Sequence, residues 1–156
     1  MTDMKHYIMG IDLSGPANLA DTVAVLFELD GEHLAPTGTE LRGVQDCHIC
    51  KCAKEISEGA ALAIGLDAPL SYNCGGGDRP ADKALRDHLK DRGLHHHAAV
   101  MTPTMVRMAY LTLRGISLTR MLEAECDGEN LSIVEVHPRA FMALSGLSGK
   151  AMSRSR

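Results

Sequence analysis

The stretch A-L-A-I-G-L-D, residues 61–67, is an apolar run that ends in a carboxylate. A continuous apolar run of this length is typical of a strand covered on both faces of a sheet. Y-I-M-G-I-D, residues 7–12, has the same form, and in both runs a glycine stands two positions before the acid. Positions i and i+2 of a strand share a face, so each acid has open space beside it. If the strands lie side by side, Asp12 and Asp67 meet at one edge of a sheet.

A third acid, Glu135, stands near the end of the apolar run L-S-I-V-E-V-H-P, residues 131–138. Ionised carboxylates beside a core are rarely left unpaired, and three close carboxylates repel each other unless a cation lies between them. Hard oxygen donors favour Mg²⁺ or Mn²⁺. The pattern therefore predicts a divalent metal site formed by Asp12, Asp67 and Glu135. The alternative is that these acids cap helices or brace the loops after the strands.

The rest of the chain predicts a mixed sheet around these runs. Residues 22–29 and 33–42 have strand character, and Asp30-Gly31 between them is a signal for a two-residue hairpin with a type I′ turn. An antiparallel three-strand start followed by parallel strands indicates an α/β fold with helices on both faces of the sheet. Apolar spacing and the positions of Gly and Pro predict helices over 45–58, 80–92, 104–125 and 138–144.

The length of 156 residues favours one domain, which we expect over 1–146, with a small, polar and disordered tail over 147–156. The chain has no run of roughly 18 apolar residues, so we expect no membrane span. The N-terminus lacks a signal-peptide pattern and the five cysteines are odd in number, which together predict reduced thiols and a cytoplasmic location. The apolar helix at 104–122 is a candidate contact for a homodimer.

The charge and the aromatic content argue against a broad nucleic-acid surface. Twenty acids against 16 bases give a net charge of -4, so there is no overall basic footprint. Two Phe, three Tyr and no Trp offer little for stacking on bases. A nuclease whose acids cluster at a metal site remains compatible with this composition, whereas tight non-specific DNA binding is not.

Three motifs, in this order along the chain, resemble those of one family. They are G-I-D-L-S-G-P at 10–16, G-L-D-A-P-L-S at 65–71 with G-G-G-D-R-P-A-D-K-A-L-R at 75–86, and E-V-H-P-R-A-F at 135–141. They are similar to the DUF429 group of predicted RNase H-like nucleases, and the similarity runs from about residue 7 to residue 144. The resemblance implies an RNase H-like fold in which acids on the first and fourth strands bind divalent metals. It transfers this role to Asp12 and Asp67, with Glu135 as the third acid.

The function that the resemblance implies is hydrolysis of phosphodiester bonds by two metal ions, with Asp12 bridging the ions and Asp67 and Glu135 flanking them. His137, which shares a strand face with Glu135, is predicted to order a metal-bound water or the phosphate; a helix-capping or core role is equally open. Ser14, within the first motif, is predicted to contact the substrate.

Basic residues on one predicted helix are candidates for contacts with phosphate. Arg79 lies at the mouth of the Gly-rich loop and matches a basic position of the family, so it is predicted to bind substrate. Lys83 belongs to the same stripe, for which the alternative is a solvated helix face paired with interleaved aspartates. The stripe consists of Arg79, Lys83, Arg86 and Lys90.

Two functions other than an active nuclease are considered from the sequence. No acid follows Glu135, whereas RNase H-like enzymes usually take a further acid from the final helix. This leaves a three-carboxylate site, a truncated chain, or a catalytically inactive RNase H-like module that binds nucleic acid or a protein partner. A phosphotransferase half-domain of the actin and sugar-kinase type is disfavoured, because 156 residues leave no room for a second nucleotide-binding domain.

The segment C-H-I-C-K-C, residues 47–52, invites comparison with a zinc site. It holds only one C-x₂-C pair, and no second pair follows at the spacing of a zinc finger. Buried structural thiols are therefore favoured, with Cys52 facing the core beside Ile49 and Ile56. The histidine run at 95–97 is predicted to be a polar loop.

Overall fold

The computed structural model describes residues 4–146, with the side chains at positions 97 and 98 excepted. Short 3-10 helices lie at Leu19–Asp21 and His95–Ala99. The strands and α-helices are β1 (His6–Asp12), β2 (Val23–Asp30), β3 (His33–Arg42), α1 (Asp46–Ser57), β4 (Ala61–Asp67), α2 (Pro80–Asp91), α3 (Val106–Glu125), β5 (Leu131–Glu135) and α4 (Pro138–Leu144). The predicted elements are all present, with ends that differ by two residues at most. The predicted tail at 147–156 lies outside the described residues.

The five strands form one sheet in the order β3-β2-β1-β4-β5. β2 runs antiparallel to both β1 and β3, whereas β4 runs parallel to both β1 and β5. This confirms the predicted mixed sheet and α/β class, and the architecture is consistent with an RNase H-like fold.

The chain divides into two compact units. The first comprises the described residues up to Leu70 together with Tyr110–Val136, and it contains the whole sheet with α1 and most of α3. The second comprises Ser71–Ala109 and the described residues from His137 onward, and it contains α2 and α4. A single domain over 1–146 stays a prediction.

The core of the first unit lies on one face of its sheet. Alternate residues of the two central strands point into it, and α1 and α3 cover them with their own apolar residues. Each large aliphatic side chain that is fully buried contributes roughly 1.5–3 kcal/mol to the stability of the fold. Fully buried members include Met9, Ile49, Leu62, Ile64, Leu66, Leu118 and Leu122.

The opposite face of the central strands is more open than the sequence indicates. Burial alternates along β4, where Ile64 and Leu66 are buried, Ala63 is exposed and Gly65 is half-buried. The prediction that this strand is covered on both faces is therefore wrong. Its apolar run arises because the second face carries alanine and glycine instead of polar side chains. The helical cover predicted for that face stays a prediction.

The hairpin between β2 and β3 forms one residue later than predicted. Asp30 is itself a strand residue and pairs with His33, so the two turn residues are Gly31 and Glu32. Gly31 has a φ of +59°, whereas Glu32 does not have a positive φ. A type I′ turn needs positive φ at both positions, so that prediction is wrong.

Apolar side chains on α3 face solvent near the start of the helix. Val106, Tyr110 and Leu113 follow the spacing i, i+4, i+7 and are all exposed. The homodimer contact expected from this helix stays a prediction. Within residues 4–146, none of the helices combines the length and apolar character that crossing a bilayer requires.

The second unit has a small core of its own. α2, α4 and the 3-10 helix at His95–Ala99 pack around Leu89, Val100 and Ala140. The histidine run predicted to be a loop is therefore part of a 3-10 helix. The Gly-rich loop before α2 takes positive φ at three successive residues, Gly75–Gly77, which a chain of ordinary residues would adopt only with strain.

Candidate functional site

Asp12 and Asp67 end adjacent parallel strands in direct register. The Cα atoms of these two residues are partners in the pairing of β1 with β4, as are those of Gly10 and Gly65. Directly paired residues of parallel strands project from the same face, and neighbouring strands lie about 4.8 Å apart. Asp12 is exposed and Asp67 half-buried. The two carboxylates are therefore placed on one face at the carboxyl edge of the sheet, as β-strand alternation predicts.

The two glycines before these acids play different roles. A Cβ added at Gly10 would meet nothing within 4 Å, so the space beside Asp12 is open. A Cβ added at Gly65 would lie 3.3 Å from a methyl group of Val136, whose backbone N–H donates to the carbonyl of Leu66. The space next to Asp67 thus accommodates Val136, and only the first glycine leaves room for a ligand.

Glu135 is offset by one residue from the strand register that aligns the other two acids. Its Cα partner on β4 is Leu66, not Asp67, so its side chain starts from the core face of the sheet. Its Oε2 accepts a hydrogen bond of 2.9 Å from the backbone N–H of Leu70. The carboxylate therefore braces the loop after β4, which is the alternative role that the sequence left open. Its part in metal binding stays a prediction.

In the second unit, Asp82 and His137 are close enough to share a ligand. A carboxylate oxygen of Asp82 and a ring nitrogen of His137 lie within 4.8 Å of each other. His137 precedes α4, and its side chain makes no capping hydrogen bond there. Asp82 and His137 therefore belong to a candidate group of metal-binding side chains. Sequence reasoning missed Asp82, since it considered the aspartates interleaved with the basic stripe only as partners on a solvated helix face.

Arg79, predicted to contact the substrate, is bound within its own unit. Its Nε and Nη2 donate to the two carboxylate oxygens of Asp82 at 2.7 and 2.6 Å, and its Nη1 donates to the carbonyl and hydroxyl of Ser71. The side chains of Arg79 and Asp82 are only 12% and 2% exposed. Asp82 also lies in the first turn of α2, where the helix dipole favours a negative charge. This bidentate pair fixes the start of α2.

Lys83 takes the alternative that the sequence offered. It pairs at 2.7 Å with Asp87 one turn along α2, and both side chains are well exposed. This hydrogen bond raises the pKa of Lys83 and lowers the pKa of Asp87. Arg86 of the same stripe pairs with Asp78 and donates to the carbonyl of Val100. These residues behave as a paired helix face.

Ser14 belongs to a partly buried hydrogen-bond network in the first unit. Its hydroxyl donates to the carbonyl of Asn18 at 2.6 Å and lies 2.8 Å from the hydroxyl of Thr22. Arg114 of α3, which is 6% exposed, donates to the Ser14 carbonyl and to the Thr22 hydroxyl. The hydroxyl of Ser14 thus holds the loop after β1. Arg114 is a buried arginine of α3, and the sequence alone does not distinguish it from Arg107 and Arg120 of the same helix.

The cysteines form no zinc site within residues 4–146. All five are free thiols, and none belongs to a group with metal-ligand spacing in this part of the chain. Cys50 is fully buried, and Cys52 packs at the edge of the core, as predicted. Burial is the main cause that raises the pKa of Cys50 to about 12, and it also raises the pKa of Cys52 and Cys126.

We expect Cys50 to resist alkylation in the native protein. At pH 8 a thiol with a pKa of about 12 is ionised in about one molecule in 10,000, and the thiolate is the reactive form. Iodoacetamide labelling followed by peptide mass spectrometry should modify the exposed Cys47 first, and Cys50 only after denaturation. Because folding raises this pKa, stability should hold below pH 9 and fall as the pH rises further. Equal labelling of both thiols would contradict the buried position.

The fold and the acidic strand ends define a mixed α/β protein with two paired carboxylates at the edge of its sheet. The chain belongs to the DUF429 family, whose model, described as "Protein of unknown function (DUF429)", matches residues 10–156. No curated protein and no solved structure matches the chain. The family predicted from the three motifs is therefore confirmed.

Proposed function

We propose that this DUF429 protein is a metal-dependent nuclease that hydrolyses phosphodiester bonds at Asp12 and Asp67, with Glu135 as the third metal ligand. The observation that carries the proposal is the direct register of Asp12 with Asp67 at the ends of parallel strands. Two carboxylates on one face repel each other, and a divalent cation between them removes that cost. The open space at Gly10 would leave room for the cation and its waters.

The donor set fits Mg²⁺ or Mn²⁺, because all three side chains offer carboxylate oxygens. Asp12, Asp67 and Glu135 would hold the ions, and Asp12 is the most exposed of the three acids. Bound ions supply an activated water and stabilise the leaving oxygen of an in-line displacement. The role of His137 in ordering the attacking water or the phosphate stays a prediction.

The basic side chains predicted to contact the substrate would contribute little to holding its phosphate. Arg79 and Lys83 are paired with aspartates, Ser14 is bonded within its loop, and the net charge is -4. A protein that neutralises few phosphates with its own cations releases few counterions on binding. Substrate affinity should therefore depend strongly on the metal and only weakly on monovalent salt.

The test is a calorimetric titration of the protein with Mn²⁺ and a cleavage assay on single-stranded and structured DNA and RNA. Asp67→Asn should weaken Mn²⁺ binding by at least about tenfold, since even outer-shell changes at metal sites cost 10–100-fold. Asp30→Asn is the matched control, because Asp30 lies at the distant hairpin end of β2. Wild-type protein that neither binds Mn²⁺ nor cleaves any of these substrates would rule the proposal out.

A second candidate is a catalytically inactive module that binds nucleic acid or a protein partner. It is favoured by the internal pairing of Arg79 and Ser14, which leaves few groups to orient a substrate for attack. Fluorescence anisotropy with labelled oligonucleotides separates the two candidates. Binding that needs no divalent ion and survives Asp67→Asn, without cleavage, would favour the inactive module.

A further inference from the structure

Arg114 of α3 contacts the segment that directly follows the Asp12 strand. Its Nη1 donates to the carbonyl oxygen of Ser14 at 2.7 Å and to the hydroxyl of Thr22 at 2.8 Å. Ser14 stands two residues after Asp12 and Thr22 directly precedes β2. One guanidinium nitrogen therefore joins the two ends of the loop between β1 and β2.

The guanidinium is itself fixed in place by an ion pair. Its Nε and Nη2 donate to Oδ1 of Asp46, the first residue of α1, at 2.9 and 2.6 Å. The side chain of Arg114 is 4% exposed. A charge-assisted contact with several donors at this burial allows little movement of the planar group.

The next residue of α3, Gly115, contacts the segment that directly follows the Asp67 strand. A Cβ added at Gly115 would lie 2.7 Å from the carbonyl oxygen of Pro69 and 3.0 Å from the Cβ of Ala68. The first distance is shorter than real Cβ atoms essentially ever show and involves a backbone atom, and the second is tighter than nine in ten real Cβ contacts. Alanine is normally preferred to glycine inside a helix. At this position, however, only glycine permits the close approach of the two backbones.

The segment after Asp67 also reaches the third predicted ligand. Leu70, next to Pro69, donates its backbone N–H to the carboxylate of Glu135. A shift of the segment 68–70 would therefore move the support of Glu135 together with Asp67. Two consecutive residues of one helix thus touch the chain just beyond both paired acids.

We propose that Arg114 and Gly115 are positioning residues that set the separation of the Asp12 and Asp67 carboxylates. Each acts through the segment that follows its acid: Arg114 through Ser14, and Gly115 through Ala68 and Pro69. The chemical consequence, a correct spacing of metal ligands, rests on the proposed function. Metal ligands must be held to within about 0.5 Å of their productive positions. A single rigid helix that contacts both segments provides this constraint.

The experiment compares Gly115→Ala with Gly128→Ala, a glycine whose added Cβ would meet nothing within 4 Å. Calorimetry should show Mn²⁺ binding weakened by about 10–100-fold in Gly115→Ala and unchanged within about twofold in Gly128→Ala. Arg114→Lys, which keeps the charge but loses the fork of donors, is the second variant and carries the comparison if Gly115→Ala does not fold. Leu122→Ala, a core change in the same helix, should lower the urea midpoint without changing the Mn²⁺ affinity of the folded protein.

Crystal structures of wild type and variants give a readout that needs no metal. We expect the distance between the Cα atoms of Asp12 and Asp67 to change by more than about 0.5 Å in Gly115→Ala. Wild-type Mn²⁺ affinity in Gly115→Ala and Arg114→Lys, with Asp67→Asn impaired, would overturn the positioning role and leave the nuclease proposal intact. If wild type itself binds no Mn²⁺, the nuclease proposal fails. The Cα distance then decides the positioning role: a changed distance supports it and an unchanged one overturns it.

Discussion

Replacing Arg79 with alanine is expected to lower the free energy of unfolding by about 3–5 kcal/mol, the usual effect of removing one partner of a buried ion pair. The change leaves the carboxylate of Asp82, which is 2% exposed, without its two guanidinium donors at the start of α2. It also removes the donor to Ser71. Urea denaturation followed by far-UV circular dichroism measures the loss.

Lys83→Ala is the matched control for Arg79→Ala, since it removes an exposed ion pair from the same helix. Exposed pairs contribute little, so the unfolding midpoint should change only slightly. The double variant Arg79→Met, Asp82→Leu should recover much of the lost stability, because no buried charge is then left unpaired. An Arg79→Ala protein of unchanged stability but impaired substrate binding would show instead that Arg79 is a substrate contact.

Asp12→Asn is expected to reduce metal-dependent cleavage by about a thousandfold. A bound metal ion contributes several kcal/mol to the stabilisation of the transition state, and each 1.36 kcal/mol corresponds to a factor of ten in rate. Asparagine keeps the size of the side chain and removes its charge, and Asp12 is exposed, so the fold should be retained. Single-turnover cleavage of labelled oligonucleotides with saturating Mn²⁺ measures the effect.

Asp30→Asn again serves as the control, because it changes the net charge equally at the far end of the sheet. Its cleavage rate should match that of the wild type. If Asp12→Asn cleaved as fast as the wild type, the reaction would take place elsewhere or belong to a contaminant, and the strand-end site would lose its catalytic role.

The sequence predicts the strand pairing well where the pattern is local and doubled. Each of β1 and β4 has a glycine two positions before an acid, and the structure pairs glycine with glycine and Asp12 with Asp67. The ends of the helices follow from local signals, such as the proline that opens α2. The positions of strands and helices depend mainly on such nearby residues, and these can be read from a single sequence.

The parts that sequence reasoning missed depend on distant partners. The register of β5 against β4 decides from which face of the sheet the side chain of Glu135 projects. A shift of one residue in that register would move the side chain to the opposite face. Gly115 looks like a weak point of α3 until its contact with Pro69 is known. Arg79 stands at the mouth of a Gly-rich loop, but its orientation toward Asp82 follows from three-dimensional packing. Such features need the structure.

The pairing of Asp12 with Asp67 joins residues that are 67 − 12 = 55 positions apart in the chain. Contacts of such long range form slowly, because the entropy of closing the intervening loop is lost before the contact is gained. A growing polypeptide acquires both acids only after β4 has been synthesised. Any cation held between them would then bind the native state alone and shift the folding equilibrium toward it by mass action. Cellular magnesium would in that case act on the maturation of the protein as well as on its chemistry.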